Sequence, residues 1–393
     1  MREDLKRKLD ESVPEDVTLS NAKKRQIMNA AQHQDSGWKP SRAPKMLPAL
    51  VGVAVIGLGG ILGYPYVSDW EEPDTSQESE TPLWKLEESL QGVVIPRTEY
   101  SVTINEVYYN EQSGDLVYQD GNEIYSYNIE AETETLLVPA GEEKLITDVV
   151  VEGGWLIWTG AAEADMGDAS ELNILNLSND ETVTISDLNA MSPVIDGDQL
   201  SYLSFGSGGP SYKLLDLDTL EETALYQSTE GADSMQAFND GLIVVPERRE
   251  AIGITELLVY DAKDGALVEE YKLPSKSVAN IQLDNNKIYA QLIDDDFRAT
   301  LIVIDLETGI MSEIDAPEFS DYAVHGDYVA LSVPEGGAET VKLFKREGDS
   351  LSLLPALDKI KERLVKPRFT DEGTLVVDGE GVQRVIYLLK VSD

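Results

Sequence analysis

Few residue types in this chain could do chemistry, and most of them sit where a turn accounts for them. Beyond residue 45 the sequence holds one histidine, His325, in Ala323-Val324-His325-Gly326-Asp327. That segment matches Val194-Ile195-Asp196-Gly197-Asp198, so His325 takes a turn position held elsewhere by an aspartate, and a general base is the lesser reading. There is no cysteine, which removes disulfides, thiol nucleophiles and thiolate metal sites together. With so little imidazole and no thiolate, zinc lacks good ligands. Gly206-Ser207-Gly208-Gly209-Pro210 has neither the order nor the strand-to-helix setting of a nucleophile elbow and reads as a flexible turn. Asp294-Asp295-Asp296 offers oxygens to calcium, yet lacks an Asp-x-Asp-x-Asp-Gly loop, so a solvated loop is the simpler reading. The 73 Asp and Glu are too abundant for any pair to single out acid–base chemistry. No metal or cofactor is expected.

The rarer groups in so acidic a chain are cations. Arg248 and Arg249 fall in the stretch Glu247 to Glu256, and Arg298 falls in the corresponding loop of the next repeating unit. Three guanidinium groups on one face would receive a carboxylate or phosphate bidentately. Local pairing with Glu247, Glu250 and Asp294 to Asp296 competes with that reading. Trp155 and Trp158 are three residues apart, so a strand points them to opposite faces and at most one serves a shared site.

These residues are hung on a repeat. A short apolar run follows a Gly/Asp/Asn turn at Asp115-Leu116-Val117, Trp155-Leu156-Ile157, Gln199-Leu200-Ser201, Gly241-Leu242-Ile243, Lys287-Ile288-Tyr289, Tyr328-Val329-Ala330 and Thr374-Leu375-Val376. Intervals of 40 to 46 residues predict an all-β, seven-bladed β-propeller, with six blades as the alternative if the last unit is irregular. Unit five shows the four-strand order: Val278 to Leu283, the turn Asp284-Asn285-Asn286, Lys287 to Ile293, a loop, Thr300 to Asp305, and then Leu306-Glu307-Thr308-Gly309. That last turn matches Ala262-Lys263-Asp264-Gly265 and Leu217-Asp218-Thr219-Leu220. The hydrophobic-Asp-x-x-(Thr/Asp)-Gly pattern resembles bacterial propellers of the TolB and WD40-like type, over roughly residues 100–393. The Trp-Asp and Gly-His pairs of true WD40 repeats are missing, as is the tryptophan-docking pattern of quinoprotein propellers. The last unit stops one strand short, and Gly92 to Thr98 has the apolar composition to supply that strand and cover the edge.

Ahead of the repeat, Met46 to Val67 is free of charge and long enough to cross a bilayer as a helix. Forty-five residues precede it and no Ala-x-Ala site follows, which argues against a cleaved signal. Lys39, Arg42 and Lys45 lie before it and Asp69, Glu71, Glu72 and Asp74 after it, so the N-terminus is expected in the cytoplasm. Gly59 and Gly63 allow close helix contact, although Pro48 and Pro65 also suit an irregular span. The expected organisation is a basic tail with short helices at 1–45, a transmembrane helix at 46–67, an acidic linker at 68–91 and an extracytoplasmic propeller at 92–393. In the tail, Leu5, Leu9, Val13 and Pro14 followed by Lys23-Lys24-Arg25 and Ile27 resemble the N-terminal stretch of some membrane-bound bacterial anti-sigma factors, over about 30 residues. That resemblance implies a cytoplasmic protein partner for 1–45.

Charge narrows the partners. The first 45 residues carry ten Lys/Arg against seven Asp/Glu, leaving 21 against 66 for the rest. Nucleic acid is excluded for the large part, since phosphate neutralisation needs clustered cations. The leading expectation is a bacterial membrane protein that catalyses nothing and whose outer propeller binds or senses a wall, peptide or protein ligand. The alternatives are a regulator acting through 1–45 and a carboxylate-dependent propeller hydrolase or lyase.

Overall fold

The structure is a computed structural model. It describes residues 86–391 except 87, 97–103, 142–143, 163–169, 187–188, 207, 229–234, 250–252, 276, 295, 337 and 382. The tail expected at 1–45 and the span expected at Met46 to Val67 lie outside the described residues. Among the described residues, no helix is long and apolar enough to cross a membrane.

Within the compact unit Glu78–Asp393 the chain forms seven four-stranded antiparallel sheets. Six are built from four consecutive strands, blade 1 starting at Ile104, blade 2 at Lys144, blade 3 at Ala190, blade 4 at Ala237, blade 5 at Ser277 and blade 6 at Asp321. The six-bladed alternative is thereby set aside. From blade 1 through blade 7 each first strand touches the first strand of the blade that follows, so these strands form the inner ring around a central channel. Every second strand begins within one residue of an apolar run that carried the period: Asp115, Trp155, Gln199, Leu242, Lys287, Tyr328 and Thr374.

Those runs are apolar on both sides because each middle strand is sandwiched between two blades. In blade 2, Trp155 and Ile157 pack toward blade 3, while Leu156 and Trp158 pack toward blade 1. Both tryptophans are therefore core residues, on opposite faces as the three-residue spacing requires. The core is seven such interblade layers; fourth strands such as Glu181–Ile185 and Ile310–Glu313 hold no fully buried residue.

Blade 7 has only Leu364–Phe369, Thr374–Glu380 and Arg384–Lys390 from its own stretch of chain. Its outer strand is Gln91–Val94, antiparallel to Arg384–Lys390 with Gly92 opposite Tyr387 and Val94 opposite Val385. The closing strand expected at Gly92 to Thr98 is thus present, but it begins one residue earlier and ends at Val94, and Arg97 and Thr98 lie outside the described residues. Leu86 and Ile95, which bracket it, are buried, and Ser89 Oγ donates to the Lys390 carbonyl at 3.1 Å. The chain docks on blade 7 from Leu86 onward, inside the stretch read as acidic linker.

The turn that suggested the propeller families works through its aspartate. Asp305 Oδ1 accepts from both the amide and the hydroxyl of Thr308 at 2.8 Å, and Gly309 closes the turn at φ +66°. Asp216 and Thr219 repeat this at 2.7 and 2.8 Å, with Leu220 forced to φ +59° where unit five has glycine.

Candidate functional site

Antiparallel strands put the turns between first and second strands at one mouth of the channel, and the loops between second and third strands at the other. At the turn mouth a carboxylate ends the inner strand in blades 2, 3 and 5: Glu152, Asp196 and Asp284. Each reaches the next blade. Asp196 Oδ2 accepts from the Gly241 amide at 2.7 Å and Asp284 Oδ2 from the Gly326 amide at 2.8 Å, while Glu152 accepts from the backbone of Gly197. His325 occupies the same position in blade 6. Its Nδ1 lies 3.7 Å from Asp284 Oδ1 and its ring leans on Phe369 of blade 7 at 5.8 Å. It was expected as a turn residue; it ends its inner strand, one residue before the turn Gly326-Asp327, in the register its periodicity indicated.

Blades 1, 2 and 7 do not close tightly there. A cavity of about 180 Å³ opens between them, lined among others by Tyr108, Tyr109, Glu111, Glu152, Phe369 and Asp371. Glu111 is tied to blade 7 by the Thr374 hydroxyl and by Lys390 Nζ at 3.3 Å. Glu152 and Asp371 hydrogen-bond to one another. Burial, then the charges of Asp371 and Asp196, push Glu152 up to about 9, against the opposing Gly197 amide. Burial also raises Asp371, while the bond from Glu152 and the charge of His325 oppose that shift. At neutral pH the pair is a carboxylic acid donating to a carboxylate. Such a pair can hold, give or take a proton, and its apparent titration belongs to both groups. Among the described residues no group of three or more His, Asp or Glu is arranged to hold a metal ion.

The arginines singled out from the sequence lie toward the other mouth. Arg248 and Arg249 are not at a loop tip: they end the second strand Leu242–Arg249, opposite Thr255 and Ile254. Arg249 Nε donates to Glu256 Oε2 at 2.7 Å and its Nη1 to Glu247 Oε1 at 3.1 Å, and Glu247 is fully buried. Its guanidinium thus closes a local network. Arg298 is 77% exposed and meets Asp296 at 3.4 Å. Arg248 and Arg249, being successive, point to opposite sides of their strand.

The loop mouth has a second character that the sequence reading passed over. Among the described residues, most exposed large apolar side chains sit on outer strands or their turns, as Leu136, Leu267, Ile310 and Leu353 do. Four do not: Met191, Phe205, Met235 and Phe297. All four lie at the loop ends of blades 3, 4 and 5. Gln236 Nε2 donates to the Ser192 carbonyl at 2.8 Å, joining the segments that carry Met191 and Met235. An apolar residue inside an acidic turn, as in Asp294-Asp295-Asp296-Phe297, was the available sequence signal.

No protein-family model matches the chain, and no curated protein matches it. Solved structures do. A chain from a structural and mechanistic study of two prolyl endopeptidases aligns with TM-score 0.56 at 10% identity, over 80% of this chain and 51% of that one. A chain of the mitotic checkpoint complex aligns with TM-score 0.54 at 11% identity, over 84% and 98%. The β-propeller domain of the Trilobed protease from Pyrococcus furiosus aligns with TM-score 0.49 at 16% identity, over 61% and 80%. Peptidases and proteins of multisubunit complexes share this architecture, so the likeness extends to the fold and stops there.

Proposed function

We propose that this chain is a single-pass bacterial membrane protein whose propeller, carried outside the membrane, binds a peptide, protein or wall ligand without turning it over. The observation that carries the reading is the cluster of Met191, Phe205, Met235 and Phe297 at the loop ends of three consecutive blades. Exposed apolar side chains gathered at one mouth of an otherwise strongly acidic body support an interaction site there. A peptide or protein suits it better than a bare polysaccharide, because thioether and aromatic groups gain by leaving water. The charge-free run at Met46 to Val67, with basic residues before it and acidic ones after, supports the topology and leaves residues 1–45 free for a cytoplasmic partner.

Methionine oxidation tests the binding face without a known ligand. Met191 and Met235 are 49% and 52% exposed, whereas Met311 packs against the core and serves as control. Peroxide should oxidise Met191 and Met235 readily in the purified propeller and more slowly in intact cells. Equal rates in both would sink the binding face. Protease protection tests orientation: a propeller digested only after lysis would overturn it.

The second reading, a carboxylate-dependent hydrolase or lyase, is favoured by one observation, the acid–carboxylate pair Glu152 and Asp371 in an open cavity. Turnover of any substrate that Asp371→Asn abolishes without loss of fold would favour it.

A further inference from the structure

The loop that carries Phe297 is built to hold that side chain away from the protein. It joins the second and third strands of blade 5, Lys287–Ile293 and Ala299–Asp305. Asp294 organises it. Its Oδ1 accepts from the amides of Asp296 at 2.9 Å and Arg298 at 2.8 Å, its carbonyl from the amide of Phe297 at 3.0 Å, and its own amide donates to the Arg298 carbonyl at 3.1 Å. Four hydrogen bonds around one aspartate leave the turn little freedom. Inside it Phe297 stands at φ +61°, a left-handed conformation that bulky side chains avoid, and 90% of the residue is exposed. An exposed aromatic in a strained, locked turn gains nothing inside its own chain, so the compensation is to be sought outside it.

Its surroundings say what kind of surface it meets. Asp294 and Asp296 share the turn with Phe297, and Arg298 is paired with Asp296, so the carboxylates of the turn outnumber its one cation. The whole chain has net charge −42. A partner brought within a Debye length of about 8 Å must supply cations around whatever receives the ring. Met191, Phe205 and Met235 are exposed at the same mouth, on blades 3 and 4.

We propose that Phe297 is the anchor of a docking surface for a protein whose apolar pocket, rimmed by lysine or arginine, takes the phenyl ring. This rests on the binding reading above and names the chemistry of its partner. A rigid turn makes the anchor preorganised, so little order has to be lost when it docks.

The test uses the full chain in its own membrane. A photo-crosslinking phenylalanine analogue at position 297 should give one recurrent protein adduct, with lysine or arginine flanking the cross-linked residue in the partner's peptide. The adduct should be lost in about 0.5 M salt, where screening shortens the reach of surface charge. In parallel, Phe297→Asp should abolish the in-cell protection of Met191 and Met235, and Phe297→Leu should retain part of it. Adducts to lipid, to a second copy of this chain, or to an acidic surface would overturn the proposal, as would no adduct. Protection that survives Phe297→Asp would remove the anchor while leaving the binding face standing. No protection in the unaltered chain would remove both.

Discussion

Glu152→Gln should change how stability depends on pH far more than it changes stability at pH 6. The native carboxyl is raised to about 9, chiefly by burial and then by Asp371 and Asp196, from an ordinary value of 4.5. Between those values the folded state binds a proton that the unfolded chain has released. Its contribution is therefore complete below about pH 4.5 and disappears as pH rises through about 9. One extra proton is worth about 1.4 kcal/mol per pH unit, or about 4 kcal/mol from pH 6 to 9. Asp371 shares that proton and Glu152 is only partly shielded from water, so about 2–3 kcal/mol is the expected loss. In urea melts of residues 78–393 the midpoint should fall by up to about 1 M over this range. Glutamine keeps the shape and still donates to Asp371, so the Glu152→Gln variant should lose most of that slope and exceed the unaltered protein at pH 9. Groups present in both proteins, the burial-raised Asp321 among them, contribute alike to both slopes, which makes the difference specific to this pair. Equal slopes in the two proteins would refute the shared proton.

Two further outcomes follow from the blades. Removing residues 78–98 takes away the outer strand of blade 7 together with buried Leu86, Val93 and Ile95; at about 1.5–3 kcal/mol for each buried aliphatic side chain, calorimetry should show a marked fall in Tm, and an unchanged Tm would deny the closure. Arg249→Ala should cost about 2–5 kcal/mol in denaturant melts because buried Glu247 loses a charged partner, whereas Arg298→Ala should stay within about 0.5 kcal/mol, and the reverse order would mean the ion pairs are misread.

The repeat was legible because it is local. A strand sandwiched between two blades must be apolar on both faces, and a turn such as Asp305 to Gly309 needs an aspartate, a hydroxyl and a glycine at fixed offsets. The closing strand was legible by subtraction, from a final unit one strand short. The ends of strands were not. Glu247, Arg248 and Arg249 look like a loop because they are polar, yet they pair with Glu256, Thr255 and Ile254, and the buried Glu247 is neutralised by the arginine two residues on. The pair Glu152 and Asp371 was hidden for a different reason. The two lie in blades 2 and 7, and only closure of the ring brings them together. Nothing within either blade marks them among 73 acidic residues.

One methylene group distinguishes Glu152, where the pair forms, from Asp196 and Asp284, where none does. Asp196 and Asp284 end their inner strands in the same place, and each spends an oxygen on a glycine amide of the following blade. Glu152, one methylene longer, makes the equivalent bond to Gly197 and also meets Asp371 beside the cavity. Glu152→Asp should therefore keep the interblade bond and give up the shared proton. This shortened variant should melt close to the unaltered protein at pH 6, within about 1–2 kcal/mol, since it loses one hydrogen bond and little apolar contact. Its stability should then fall much less steeply between pH 6 and 9, and the carboxyl resonance at position 152 should titrate well below that of the native glutamate. Should the variant keep the full slope, the proton would belong to the mouth as a whole, with Asp196, Asp240 and Asp371 sharing it, and the length of the side chain would not be what selects blade 2.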